Sequence, residues 1–153
     1  MSAEIVVPTA PLSLPDQRLV TALARAGTLP MLGCLLMIES PFRLPFLKSY
    51  SLSIIAFLSG SWWFTALAGG NQGGWQLRLI MLLSNLIVII GVFAVAFTGC
   101  LALLILATLF VCLLWGELTL PALRLQPACY RNMRKQVTAF VAALHLIAFV
   151  IQT

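Results

Sequence analysis

Few side chains in this sequence could carry chemistry. His145 is the single histidine among 153 residues, so a haem held by two histidines is excluded within one copy of the chain. A haem, a metal or an intramembrane enzyme site at His145 would need further groups from a partner. The alternative is a buried hydrogen bond to another helix, and Ser84 and Asn85 are the expected partners.

The carboxylates are also scarce, with four Asp and Glu in all. Glu117 follows Trp115 by two residues in an apolar segment. We expect it to form an ion pair with Arg131 or Arg134, and a proton relay is the alternative. The sequence contains no Ser/His/Asp set, HExxH motif or glycine-rich phosphate loop. It therefore predicts no catalytic residue and no cofactor.

The cysteines do not form a metal-binding pattern. None of the four is paired at CxxC spacing, and three lie inside apolar runs, so we predict neither a zinc site nor a disulfide framework. They are interpreted as small hydrophobic residues: Cys34, Cys100, Cys112 and Cys129.

The composition places these side chains in a membrane. The chain is 61% hydrophobic and 8% charged, with a mean hydropathy of +1.06. A soluble domain is about half apolar and about a quarter charged, so a secreted domain, a cytosolic enzyme and a nucleic-acid-binding protein are excluded. Because one crossing takes about 20 residues, the sequence predicts an all-α integral membrane bundle of five transmembrane helices.

The breaks between apolar segments set the predicted domain organisation. Residues 1–17 form an extended, proline-containing arm, and residues 18–153 form the five-helix transmembrane domain. Pro30 is expected to kink the first span. The glycine-rich segment 69–74 and Thr98-Gly99 are expected to be turns. The predicted spans are 19–38, 49–68, 77–96, 100–118 and 136–151.

Small residues follow helical spacing in the second span. They recur at intervals of four, three and four positions, which places them on one face of a helix and lets two helix backbones approach closely. The sequence predicts an internal packing face, called here the small-residue face: Ser49, Ser53, Ala56 and Gly60.

The basic residues predict the orientation. The chain carries a net charge of +5, and its Lys and Arg cluster at the ends of apolar segments, where they contact anionic lipid headgroups. Only Arg43 and Lys48 fall on the second side of a five-span layout. The positive-inside rule therefore predicts a cytoplasmic N-terminus and a periplasmic C-terminus. The seven basic residues on the cytoplasmic side are Arg18, Arg25, Arg78, Arg124, Arg131, Arg134 and Lys135.

The four tryptophans, Trp62, Trp63, Trp75 and Trp115, fall near the cytoplasmic interface in this layout. They are either ordinary interface anchors or the wall of a pocket in the cytoplasmic leaflet. We call the predicted pocket the tryptophan corner, with the lining residues Trp63, Arg78, Trp115, Glu117, Arg131 and Arg134.

Two segments carry a family resemblance. Residues 50–63 resemble the second-helix signature of a small bacterial membrane family whose eukaryotic members are called transmembrane protein 69. Residues 130–138 are similar to the Tyr-Arg-x-x-Arg…Thr start of its fifth helix, and Pro30 and Glu117 also fit the family pattern. The residues that match in the second helix are Tyr50, Phe57, Leu58, Gly60 and Trp63, whereas Ser59 replaces a glycine and Trp62 replaces a histidine. The resemblance implies five spans and supplies no activity.

Two functions are expected from these features. The first is a non-catalytic accessory, structural or assembly subunit of a larger membrane complex, of respiratory or photosynthetic type, in a bacterial cytoplasmic membrane. The N-terminal arm and the small-residue face suit such docking to other membrane subunits. The alternative is a small transporter or a lipid- or quinone-binding protein that uses the tryptophan corner. An inverted-repeat transporter is disfavoured because the two halves of the chain do not repeat one another.

Overall fold

The protein, seen in a computed structural model, is all-helical in the part that the structure describes, residues 14–36, 40–68, 74–120, 123 and 128–152. In these ranges no strand occurs, and the α-helices are α1 (Leu14–Ala26), α2 (Leu29–Leu36), α3 (Arg43–Ala68), α4 (Trp75–Phe97), α5 (Leu101–Thr119) and α6 (Ala128–Gln152). The predicted extended arm lies mostly outside them. Its residues 14–17 belong to α1, because Pro15 and Asp16 favour the first turn of a helix.

Four helical segments of the described chain are long and apolar enough to cross a membrane: Leu14–Leu36, Trp75–Phe97, Leu101–Thr119 and Tyr130–Gln152. They indicate a multi-pass membrane protein in a lipid bilayer. The 26 residues of α3 also exceed the roughly 20 that a crossing needs.

The first apolar segment is interrupted before Pro30. The α1 helix ends at Ala26. In the short turn that follows, Thr28 N donates to the Arg25 carbonyl oxygen at 3.0 Å. Pro30 is the second residue of α2, a position where its missing N–H costs no helical hydrogen bond. The Tyr50 hydroxyl of α3 donates to the Gly27 carbonyl at 2.8 Å, which satisfies this oxygen at the break.

The α5 helix occupies the centre of the bundle. Half of the residues in its most apolar stretch are buried inside the protein, compared with 17–28% in the other three candidate spans. It contacts α3, α4 and α6, while α1 and α2 lie against α6 and α2 also contacts α3. The α4–α5 turn contains Gly99 at φ 56°, a left-handed conformation that favours glycine. The α6 helix begins at Ala128, earlier than the predicted residue 136, because the preceding basic segment is partly helical.

The small-residue face is not internal. All four of its residues are exposed, and a Cβ added at Gly60 would meet nothing within 4 Å. The buried face of α3 is a different stripe, which includes Leu47, Ser51, Ile55, Leu58 and Trp62. The prediction was wrong because small residues favour close helix approach without indicating whether the second helix lies inside or outside the bundle.

Candidate functional site

A buried ion pair joins the end of α5 to the start of α6. Arg134 Nε donates to Glu117 Oε2 at 3.0 Å, and Arg134 Nη2 donates to Oε1 at 2.9 Å. Both side chains are almost fully buried. Trp62 Nε1 of α3 also donates to Oε1 at 3.4 Å. The expected ion pair of Glu117 therefore forms with Arg134, in the bidentate geometry that gives the stronger charge-assisted hydrogen bonds.

Trp62 reaches Glu117 because α5 has a glycine beside it. A Cβ added at Gly116 would lie 2.7 Å from Trp62 Cζ2, whereas carbon atoms in contact prefer about 3.5–4.0 Å. Because the indole is this close to Gly116, it packs directly on the α5 backbone, and it is only 2% exposed. Glycine is thus required for the close approach of α3 and α5 at this level.

The rest of the tryptophan corner is largely exposed. Trp115 is 68% exposed, Trp63 is 39% exposed and Arg78 is exposed. Arg131 is half-buried and has an interaction of its own. The sequence predicted Trp63 beside Glu117, whereas the indole that contacts Glu117 is that of Trp62. The signal that identifies it is the neighbouring Gly116, which has no side chain to exclude an indole.

His145 is fully buried and bonds to another helix, as expected. Its Nδ1 lies 2.8 Å from the Val141 carbonyl, so this nitrogen is the donor, and its Nε2 lies 2.9 Å from Ser51 Oγ of α3. Ser51 Oγ also lies 2.7 Å from the Leu47 carbonyl. If the imidazole is neutral and Nδ1 carries its hydrogen, Nε2 can only accept. The single hydroxyl hydrogen of Ser51 then has two acceptors within reach, His145 Nε2 and the Leu47 carbonyl oxygen. The Phe110 ring of α5 packs at a tilt, with its centroid 5.8 Å from that of the imidazole.

The partners predicted for His145 were wrong. Asn85 is exposed rather than buried, and its Nδ2 donates to the Met81 carbonyl of its own helix at 2.9 Å. Ser84 is buried but bonds to the same carbonyl at 2.9 Å. Hydropathy indicates only the depth of α4 in the membrane, and in the structure α4 packs chiefly against α3 and α5 rather than against α6, the helix of His145.

No metal-ligand cluster occurs in the described part of the chain. Its residues contain no group of three or more His, Cys, Asp and Glu side chains that could hold a metal ion. The described cysteines are free thiols, buried at Cys34, half-buried at Cys100 and exposed at Cys112.

A cavity of about 390 Å³ borders the ion pair. It lies between α1, α3 and α6, with Phe110 of α5 at its inner wall. Most of the lining is apolar, and its polar residues come from α6: Tyr130, Arg134 and Thr138. The Oγ1 atom of Thr138 is buried and has no hydrogen-bond partner. This combination is typical of a small-molecule site, in which a few polar groups orient a largely apolar ligand.

These helices and their buried charges define a class, the multi-pass helical membrane protein. Residues 17–150 match the family described as protein of unknown function (DUF3429), and the chain belongs to that family. No curated protein and no solved structure matches the chain. The resemblance to transmembrane protein 69 stays a prediction.

Proposed function

We propose that the protein is a non-catalytic accessory, structural or assembly subunit of a larger membrane complex in a bacterial cytoplasmic membrane. A respiratory or photosynthetic complex fits this role. The observation that carries the proposal is the outward position of the small-residue face on α3. Because lipid tails are as apolar as leucine, helices in a membrane associate through close backbone packing, which small residues allow. A helix of another subunit fits this face.

The buried charges support a structural role. Glu117 and Arg134 satisfy each other and, through Trp62, connect α3, α5 and α6. A charged pair inside an apolar bundle is costly unless its geometry is good and its hydrogen bonds are made. Since the guanidinium takes both carboxylate oxygens in a bidentate pair, this carboxylate suits bundle assembly better than proton transfer.

Two contacts support a fifth crossing by α3. Lys48 Nζ donates to the Gly99 carbonyl at 3.3 Å, at the start of α5. Trp62 reaches Glu117 near the end of α5 at 3.4 Å. The α3 helix therefore runs parallel to α5 over nearly its whole length. Because α5 is itself a candidate span, α3 is proposed to cross the same layer.

The proposed orientation has the N-terminus in the cytoplasm and the C-terminus in the periplasm, with the basic residues near α1 and α6 at anionic headgroups. Arg25 Nη2 of α1 donates to Gln136 Oε1 of α6 at 3.4 Å, which supports Arg25 and the basic start of α6 lying at the same side of the membrane. Fusions to green fluorescent protein test this. We expect fluorescence from an N-terminal fusion and none from a C-terminal fusion, and a fluorescent C-terminal fusion would overturn the orientation.

The accessory role is tested by substitutions on the small-residue face. We expect the protein purified in mild detergent to carry a second chain in native mass spectra, and Gly60→Leu to remove that chain. Gly33→Leu on α2 is the matched control, because a Cβ at Gly33 also meets nothing within 4 Å. A second chain retained in Gly60→Leu, or a protein that is only monomer or homodimer, would contradict the proposal.

A further inference from the structure

The cavity between α1, α3 and α6 has the size and lining of a ligand site. Its volume of about 390 Å³ lies at the lower end of the roughly 300–1,000 Å³ typical of small-molecule pockets. Leu23 of α1, Phe57 of α3 and Val141 of α6 contribute to its apolar wall. The cavity thus suits a compact ring with the first part of one apolar tail, rather than a lipid with two full acyl chains.

A buried hydroxyl without a partner indicates what the ligand must offer. Thr138 is 2% exposed, and its Oγ1 makes no hydrogen bond. By contrast, the hydroxyls of Thr21, Thr98 and Thr108 bond to the carbonyl four residues earlier in their own helices. An unsatisfied buried hydroxyl costs about 1–3 kcal/mol. A ligand oxygen that accepts from Thr138 would recover this hydrogen bond.

The charge of the lining favours a neutral ligand. Arg134 lines the cavity, but its Nε and Nη2 donate to Glu117. The positive charge is therefore compensated within the wall itself, and an anionic headgroup would meet a neutral pair rather than a free cation. A carbonyl oxygen is the acceptor that matches the Thr138 hydroxyl without adding charge.

Aromatic side chains favour a flat ring. Phe110 is 2% exposed and lines the inner wall, and Tyr130 lies at the end of the cavity that contains Arg134. Aromatic groups prefer stacked or edge-to-face contacts with other rings. We propose that this cavity binds an isoprenoid quinone, with one ring carbonyl accepting a hydrogen bond from Thr138 Oγ1 and the tail lying along the apolar wall. This site goes beyond the accessory role, and neither proposal depends on the other.

The test uses decylubiquinone as the probe, titrated into the purified full-length protein in detergent. Binding is followed by quenching of tryptophan fluorescence, because a quinone near Trp62 accepts excitation energy or an electron. Thr138→Val removes the hydroxyl at nearly constant volume, and Thr108→Val, at an exposed position, is the matched control. We expect saturable binding that Thr138→Val weakens roughly two- to twelvefold, the value of one neutral hydrogen bond, and that Thr108→Val leaves unchanged.

The stability of Thr138→Val and the binding of a second variant, Val137→Phe, complete the test. The Thr138→Val variant should fold at least as stably as the unaltered protein, since it removes an unsatisfied group, so that its weaker binding reports the lost hydrogen bond. Val137→Phe should abolish binding by filling the cavity. Linear, unsaturable quenching, equal affinity in the Thr138→Val variant, or displacement of the quinone by a fatty acid or diacylglycerol at equal concentration would overturn the assignment.

Discussion

Alanine at Gly116 is expected to destabilise the protein, whereas alanine at Gly60 is not. Both glycines lie inside long helices, so the gain in helix propensity, about 1 kcal/mol in soluble helices, cancels when the two variants are compared. Their surroundings differ. A Cβ at Gly116 would overlap Trp62 Cη2 and would lie 2.7 Å from Cζ2, while a Cβ at Gly60 meets nothing within 4 Å.

The magnitude follows from this overlap. The indole must retreat by roughly 1.5 Å before its nearest atom, Cη2, reaches a normal carbon–carbon contact, but the ring is fully buried and its Nε1 donates to Glu117. Overpacking of a well-packed core typically costs about 1–3 kcal/mol. We therefore expect Gly116→Ala to be about 1–3 kcal/mol less stable than Gly60→Ala.

The assay is reversible unfolding in mixed micelles with increasing sodium dodecyl sulfate, followed by tryptophan fluorescence. Gly116→Ala should unfold at a lower mole fraction of dodecyl sulfate than Gly60→Ala. The Trp62→Phe substitution removes the outer ring atoms, so the cost of Gly116→Ala should fall in that background, with a coupling of about 0.5–3 kcal/mol. The packing argument would be refuted if Gly116→Ala and Gly60→Ala unfolded at the same mole fraction of dodecyl sulfate. It would also be refuted if the effects of Gly116→Ala and Trp62→Phe were additive in the double mutant.

Two further predictions concern the buried polar contacts. Glu117→Gln leaves the Arg134 guanidinium buried without its counter-ion and should lower the free energy of unfolding by about 3–5 kcal/mol in the same assay. Arg134→Met added to the Glu117→Gln variant should restore part of this stability, and a double mutant with no gain would show that the unpaired charge is not the cause. Ser51→Ala removes the partner of His145 Nε2 and should cost about 1–3 kcal/mol. Ser53→Ala, at an exposed serine that bonds within its own helix, should change stability by less than about 0.5 kcal/mol, and equal effects of the two serine substitutions would contradict this role of Ser51.

Hydropathy predicted most of the helical segments. The predicted spans 77–96 and 100–118 differ from α4 and α5 by one or two residues at each end. The long apolar segments and the turn at Gly99 fix where these helices begin and end. The buried stripe of α3 was not predictable in this way. Lipid and protein interior are both apolar, so hydropathy does not distinguish the two faces, and the small-residue face was assigned to the wrong one.

The candidate site was partly predictable for a related reason. Glu117 needed a basic partner because an ionised carboxylate in an apolar bundle must be paired, and few arginines were near enough. Trp62 was missed in favour of Trp63 because adjacent helical residues point about 100° apart, since a turn takes 3.6 residues. The cavity carries no sequence signal, because its walls are ordinary apolar residues that only the packing of three helices brings together.

The contact between α1 and α6 bears on how the protein is made. Arg25 and Gln136 are 111 positions apart, so an elongating chain has produced α1 through α5 before this contact can form. Until α6 inserts, Glu117 also lacks its counter-ion Arg134. The cavity is therefore completed late in biogenesis, at the same stage as the ion pair beside it. Occupancy of this cavity would thus distinguish a fully inserted chain from a nascent one.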